Sequence, residues 1–360
     1  MDKNIEITRA KVKEFEDIYN LHNKYFGNKR SKYTWKWEYG NKNPNKSILV
    51  LAKDDNKIIA TQGMMSVPLI INGKRWISGK SESTLIESNY RGTGLFTPLY
   101  NLAIDECSNE GMVCIWGFTK KALGPLKKVN FRIFYKAIKV AILPLNYRTA
   151  CNVAKLSGIS DIKVIFLRII IKLASLYSSV IFCSRKIFIN KQKNHIEITN
   201  VLKSYNDIIY LFERLRKKHI NLIHIYMDES YINWRISNSP NRTLSFFAYD
   251  EDKLEGYLFL TIRDKYIELT DFTFNKKSTG LLLIKNLIEF VDKNNIGFLS
   301  YSGNIHNALN KRIFRLLMTF GFFLIRGPNE FVLRNISFID NIHLFDIKNW
   351  YISELWSEGI

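Results

Sequence analysis

The chain repeats itself, and no other feature constrains its fold as strongly. A segment that begins at Trp37, WEYGNKNPNKSILVLAKDDNKIIATQGMM, has a counterpart that begins at Trp234, WRISNSPNRTLSFFAYDEDKLEGYLFL. From Pro44 and Pro240 onward the two run without a gap, so that Asp54, Asp55, Asn56 and Lys57 stand opposite Asp250, Glu251, Asp252 and Lys253. Each copy reads as strand, polar hairpin turn, strand. The register returns downstream, with Gly94 opposite Gly280 and Gly111 opposite Gly297. Each copy then carries a strand-like run, a helical stretch and a closing Asn130-Phe131 or Gly321-Phe322. The individual matches are weak, but their shared order and spacing identify a tandem repeat of one α/β unit.

The repeat divides the chain into a first unit at 1–145, a connector at 146–199, a second unit at 200–336 and an aromatic tail at 337–360. In the connector, residues 161–186 read as a basic, apolar helix. Arg168 and Lys172 interrupt its longest apolar run, which makes it a poor membrane span. A basic amphipathic helix can also lie in a membrane surface. The expectation here is a bridging helix packed between the two units. The tail is expected to dock on the body of the protein.

With 360 residues and 46% hydrophobic content, the chain can build substantial cores. A formal net charge of +20 suits nucleic acid, an anionic membrane face or a phosphate-rich ligand. The same charge also follows from a composition crowded with Lys, Asn and Ile. Cys107, Cys114, Cys151 and Cys183 show no metal-site or disulfide spacing, and the six histidines are scattered, so no metal is expected. The first residues lack the apolar core of a signal peptide, and a cytoplasmic protein is expected, with peripheral contact at the inner membrane face left open.

The segment TLIESNYRGTGLFTPLYNLAIDE carries the chemistry. A strand-like run leads into Arg91-Gly92-Thr93-Gly94, and Leu95, Leu99, Leu102, Ala103 and Cys107 then follow at helical spacing. Glycines at a strand-to-helix junction leave backbone N–H groups unobstructed, and the helix start adds partial positive charge. Together they make an anion cradle, most often for phosphate. Pro98 suits the first helical turn.

In these residues the chain resembles the GNAT-type N-acyltransferases, in a two-copy form. Tyr90-Arg91-Gly92-Thr93-Gly94-Leu95 looks like the short Arg-Gly-x-Gly version of that family's motif A, set in the family's order of strand, cradle, helix, strand, helix and x-Phe. The resemblance covers most of 4–140 and, in degraded form, about 200–335. It implies two domains, each with a central, mostly antiparallel mixed sheet flanked by helices. It also implies acetyl-coenzyme A as co-substrate. Backbone groups of Arg91, Gly92, Thr93, Gly94, Leu95 and Phe96 would hold its pyrophosphate, and the exposed strand edge at Leu85 and Ile86 would hold its pantetheine arm. A Cβ added at Gly92 or Gly94 is expected to clash with the turn or the phosphates. The second copy, Asn275-Lys276-Lys277-Ser278-Thr279-Gly280, lacks the Arg-Gly pair, so one coenzyme site per chain is expected.

The reaction implied is direct transfer of an acetyl group to an amine acceptor: an amino sugar, an amine metabolite or a protein amine. An ammonium must first lose a proton, which calls for a base. Strand alternation groups Glu82 with Thr84 on one face and Ser81 with Ser83 on the other. Glu82 is the candidate base and Glu87 the reserve. The family's usual tyrosine acid falls on Leu126, leaving Tyr135 as a candidate, and Asn130 replaces a usual glycine. Some relatives are linked with cell-surface polysaccharide assembly. The alternatives are a FemAB-like aminoacyl transferase that takes aminoacyl-tRNA, which the intact Arg-Gly-Thr-Gly argues against, or a non-catalytic coenzyme- or membrane-binding protein. Nucleic acid is not the expected partner, and the acceptor and oligomeric state are not legible.

Overall fold

Both copies build the hairpins their patterns predict, and the two hairpin systems seed two separate sheets. The computed structural model describes residues 5–27, 31–40, 44, 46–154, 162–189, 196–337 and 341–356. Asp161 and His195 lie outside them, as do parts of the quoted repeat segment and the last four residues of the tail.

The strands of the first half are β1 (Ile5–Arg9), β2 (Ile48–Asp54), β3 (Lys57–Ile71), β4 (Lys74–Ile86), β5 (Cys114–Thr119), β6 (Arg132–Phe134) and β7 (Ile138–Pro144). Those of the second are β8 (Glu197–Thr199), β9 (His224–Ile225), β10 (Arg242–Asp250), β11 (Lys253–Arg263), β12 (Tyr266–Phe274), β13 (Phe298–Asn304), β14 (Phe323–Arg326) and β15 (Glu330–Asn335). The helices of the first half are α1 (Phe15–Phe26), α2 (Lys32–Tyr39), α3 (Phe96–Asn109), α4 (Leu123–Lys128), α5 (Tyr147–Val153) and α6 (Ile162–Ile189). They continue with α7 (Asn206–Lys218), α8 (Glu229–Ile232), α9 (Lys277–Lys293), α10 (Ala308–Met318) and α11 (Asn341–Phe345).

The first sheet runs β1-β2-β3-β4-β5-β15-β6, and the second, read from its far edge, runs β8-β10-β11-β12-β13-β7-β14. The order is the same once the copies are matched, but each copy has given its last strand to the other. Strand β7 pairs with β13 and β14, whereas β15 pairs with β5 and β6. The short β9 also crosses over, onto β3. The sheets therefore depart from the sequence division at 145 and 200. A strand's alternation satisfies either sheet equally, so the sequence carries no mark of the exchange.

The copies meet at the two tryptophans that open the repeat. Trp37 Nε1 donates to the Trp234 carbonyl at 2.9 Å, and Trp234 Nε1 donates to the Trp37 carbonyl at 2.8 Å. Their ring centroids are 5.2 Å apart. This reciprocal contact is what two-fold-related halves require. Around it a single hydrophobic core runs from Met65, Val67 and Leu69 of the first sheet to Tyr257, Leu287 and Leu317 of the second half.

The connector helix departs from expectation. Its contacts are with β7, α5 and α9, and it is fastened by Ser178 Oγ to the Gly321 carbonyl and Ser179 Oγ to the Leu145 carbonyl. Helix α6 thus lies along the second sheet and not between the two halves. Its apolar residues ring the helix nearly all round, so sequence periodicity alone did not single out the face that docks.

The tail docks as expected. Trp350, Tyr351, Ile352, Leu355 and Trp356 are buried, and Trp356 packs on Trp116 with centroids 4.8 Å apart.

Candidate active site

Strands β4 and β5 are parallel neighbours for only two residue pairs, Gly79 with Ile115 and Lys80 with Trp116. Beyond Lys80 they splay. The edge of residues 81–86 that faces β5 has no backbone partner among the described residues, while the opposite edge stays paired with β3. Ile86 lies on this edge, whereas Leu85 stands opposite Thr61 with its backbone turned toward β3, because the Glu87 N–H donates to the Ile59 carbonyl. The Ile86 carbonyl accepts Arg91 Nε at 2.9 Å, which ties the edge to the loop that follows.

In that loop Gly92 and Gly94 adopt φ of +83° and +86°, values that L side chains rarely take. Thr93 Oγ1 donates to the Tyr90 carbonyl at 2.8 Å and pins the turn. Arg91, Gly92, Thr93 and Gly94 are exposed, and the amides of Gly92, Thr93, Gly94 and Leu95 donate to no described acceptor. Helix α3 begins immediately afterwards at Phe96, with Pro98 inside its first turn. A Cβ built at either glycine meets no protein atom within 4 Å. The expected clash with the turn is absent; what the glycines provide is backbone conformation beneath an open space. Unsatisfied amides, a helix start and a bare strand edge fit an acyl-coenzyme A molecule, phosphates at the loop and pantetheine along the edge.

A bulge re-sorts the side chains of β4. Gly63 pairs with Glu82 and Thr61 with Leu85, so Ser83 and Thr84 together oppose Gln62, and Ser83 takes φ +54°. The extra residue shifts the alternation. Thr84 therefore joins Ser81 on the α3 side: the Tyr100 hydroxyl lies 2.8 Å from Ser81 Oγ and 3.2 Å from Thr84 Oγ1. The expected grouping of Thr84 with Glu82 is thus corrected.

Sequence reasoning passed over three residues at the bulge. His22 Nε2 lies 2.8 Å from Thr61 Oγ1, which donates to the Ser83 carbonyl at 3.0 Å. Tyr39 Oη donates to Ser83 Oγ at 2.8 Å. Tyr100, buried and stacked on Phe96, holds the other side. Only the helical periodicity of α3 pointed toward Tyr100, and nothing in the sequence linked His22 to a strand some sixty residues away.

The candidate bases differ in setting. Glu82 is buried on the β4 face away from α3 and forms an ion pair with Lys80, which is buried beside it. Glu87 precedes the cradle and is gripped by Lys24 at 3.2 Å and Lys57 at 3.1 Å. Burial pushes the Glu87 pKa up, but the hydrogen bonds and charges of Lys57 and Lys24 outweigh it, and the net position is below the usual carboxylate range. Tyr135 is exposed in the turn after β6, two strands away from β5. Leu126 is buried, and Asn130 takes φ +58°, a conformation in which Asn replaces glycine at little cost.

Because the folded pKa of Glu87 is depressed, its stabilisation is complete above its unfolded value of about 4.3 and is lost as pH falls through the folded pKa. Glu87→Gln is therefore expected to lower Tm by a constant amount above about pH 5 and by progressively less below about pH 4. Thermal melts of both proteins across pH 3–7 (about the range of carboxylate titration) check this. A parallel pair of Tm curves would remove the charge pairing as the cause.

In the second copy β12 and β13 also separate, after Glu268 and Ser300, and β12 carries a bulge in the matching place. Here the chain fills the gap itself. Tyr351 Oη donates to Asp271 Oδ1 at 2.6 Å and to the Phe272 carbonyl at 2.8 Å. The Trp350 carbonyl accepts Asn304 Nδ2, and Ile352 exchanges two hydrogen bonds with the Asn310 side chain. Gly280 lies inside α9 with an ordinary helical backbone, where a Cβ would press on Phe274 and Leu316 at 2.9 Å. It is a packing glycine, not a cradle.

Splayed parallel strands and a glycine-lined helix start are the arrangement that the resemblance to GNAT-type acyltransferases led us to expect. The acetyltransferase (GNAT) domain family matches residues 6–123, a stretch that holds the splay and the glycine loop. A probable N-acyltransferase of Enterococcus faecalis V583 shares the fold at TM-score 0.63 and 9% identity, over 93% of this chain and 73% of that one. A GCN5-related N-acetyltransferase of Kribbella flavida does so at TM-score 0.59 and 10% identity, over 93% and 72%. A tandem GNAT protein from the clavulanic acid biosynthesis pathway aligns over 94% of this chain and 100% of its own, at TM-score 0.56 and 9% identity. No curated protein matches the sequence. Among the described residues no group of three or more potential metal ligands gathers.

Proposed function

We propose that the first domain transfers an acetyl group from acetyl-coenzyme A directly to the amine of a small acceptor, an amino sugar or amine metabolite. The observation that carries this reading is the contrast between the two splays: the first has a bare edge and an open glycine loop, and the second is filled by the chain's own residues 350–356. Acetyl-coenzyme A supplies an activated thioester carbonyl, at which a C–N bond forms as the C–S bond breaks. The amides of residues 92–95 would hold the phosphates, and the strand edge that ends at Ile86 would align the pantetheine arm. Glu82 takes the proton from the acceptor on the face of β4 that also carries the bulge contacts of His22 and Tyr39. A protein amine as acceptor would widen the same proposal, and a link to cell-surface polysaccharide would narrow it.

Calorimetric titration with acetyl-coenzyme A, followed by an amine panel scored by thiol release, tests the function. One equivalent bound and amine-dependent thiol release are expected; binding without release from any amine would leave a coenzyme-binding protein. Glu82→Gln on its own strands the buried Lys80 ammonium and should cost about 3–5 kcal/mol of stability. Turnover is therefore compared between the wild type and the double variant Lys80→Met, Glu82→Gln, in which neither partner is left as a lone buried charge. The double variant should turn over about 100-fold or more slowly, with affinity little changed. An unaltered pH–rate profile would take Glu82 out of the mechanism.

A further inference from the structure

Helix α6 is apolar enough over Val164–Ser184 to cross a membrane, yet only a small part of this stretch is buried in the protein. One stripe holds it to the second sheet: Ser175, Ser178 and Phe182 are buried. The opposite face carries Ile165, Ile169, Leu173, Leu176 and Val180 along its centre, 46–67% exposed, with Phe166 beside them. At about 100° per residue this outward face sweeps an arc of about 140° without a charged residue. The charges of α6 are Lys163, Arg168, Lys172, Arg185 and Lys186, all basic. Arg168 and Lys172 flank the apolar arc on one side.

A groove of about 790 Å3 opens between α6 and the second sheet, walled by apolar residues such as Val140, Ile142 and Phe323. Leu167 and Ile170 line this groove and are themselves exposed, so its apolar wall continues onto the outward face of α6. An apolar surface of this size on a soluble body marks an interaction site.

We propose that the outward face of α6 docks the protein on an anionic lipid bilayer, with the helix lying in the plane of the interface. Charge decides between the candidate occupants. A second copy seated face to face would bring Arg168 and Lys172 of each chain against a partner surface of the same sign, on a protein that already carries +20. An anionic headgroup layer neutralises both the flanking cations and the net charge, while the acyl region takes the leucines and isoleucines. The fastening of the inner stripe to Gly321 and Leu145 keeps the helix flat, because a spanning orientation would pull it off the second sheet.

The test is co-sedimentation with phosphatidylcholine vesicles with and without phosphatidylglycerol, using the full chain. The wild type should pellet with the anionic vesicles, remain in solution with the neutral ones, and be released by high salt. The triple variant Ile169→Glu, Leu173→Glu, Leu176→Glu changes only outward residues, and should pellet at least tenfold less while its thermal melt stays near that of the wild type. Should that variant fold poorly, Leu173→Trp offers a second reading: its fluorescence should be quenched by brominated lipid in anionic vesicles. Vesicle binding that the triple variant leaves intact, or an absence of quenching, overturns the proposal. So does a concentration-dependent dimer that the variant dissolves without any vesicle binding, which would make the face a contact between copies. Protein that only detergent releases from the vesicles would overturn the in-plane arrangement in favour of a span.

Discussion

A chain that stops at Pro328 is expected to lose the cooperative fold of both halves, although it keeps every residue that matches the GNAT domain family. The truncation removes β15, which separates β5 from β6 in the first sheet, and the segment 350–356, which fills the second splay. Among the lost residues Phe331, Leu333, Trp350, Tyr351 and Trp356 are at most 1% exposed. Each large buried side chain contributes about 2–5 kcal/mol, against a total stability of about 5–15 kcal/mol for an ordinary protein. The sum exceeds what the chain can lose. Circular dichroism melting and urea titration should show no cooperative transition for 1–328. A truncated chain that unfolds with a sharp transition would mean that the first sheet is complete without β15. Within the full chain, Trp350→Ala should lower stability by about 3–5 kcal/mol.

The second large effect is an asymmetry between two glycines that the repeat places in register. Gly94→Ala should weaken acetyl-coenzyme A binding on the order of a hundredfold or more, whereas Gly280→Ala should leave affinity unchanged. At Gly94 the backbone sits at φ +86°, so a Cβ costs about 1–2 kcal/mol of conformational strain, and the loop relaxes by turning its amides. Losing two or three charge-assisted hydrogen bonds, each about 1.5–3 kcal/mol, accounts for the affinity. At Gly280 the added methyl meets Phe274 and Leu316, an overpacking cost of about 1–3 kcal/mol in stability alone. Titration of wild type and both variants, each shown to be folded, decides the matter. Equal damage from the two, or two equivalents bound by the wild type, would overturn the one-site reading.

How far the sequence could be read is visible in individual residues. The repeat was legible because hairpin turns and glycines recur at fixed spacing, and the structure joins its two opening tryptophans in one reciprocal contact. The glycine loop was legible because positive φ at a helix start calls for glycine at Gly92 and Gly94. The bulge at Ser83 was not, since it inserts a residue without any composition of its own, and it moved Thr84 to the other face. Strand exchange was equally silent: residues 138–144 alternate in the same way whichever sheet receives them. For α6, an almost unbroken apolar circumference hid which side would dock. Glu82 was identified as a carboxylate near the site, but its burial against Lys80 depends on how β4 lies in three dimensions.

The exchange of last strands also sets a timetable for synthesis. When the ribosome has finished β6, the first sheet still lacks the strand that belongs between β5 and β6. That strand arrives about 200 residues later, about 10–40 s at the usual elongation rate of about 5–20 residues per second. Throughout the interval the edge of Cys114–Thr119, with its apolar Ile115 and Trp116, stands open to any other strand. The N-terminal half therefore cannot mature while it is being made, as a self-contained leading domain would. Its yield should depend on holdase chaperones and on the speed of translation across the second half, and slow codons placed between the two copies should reduce it.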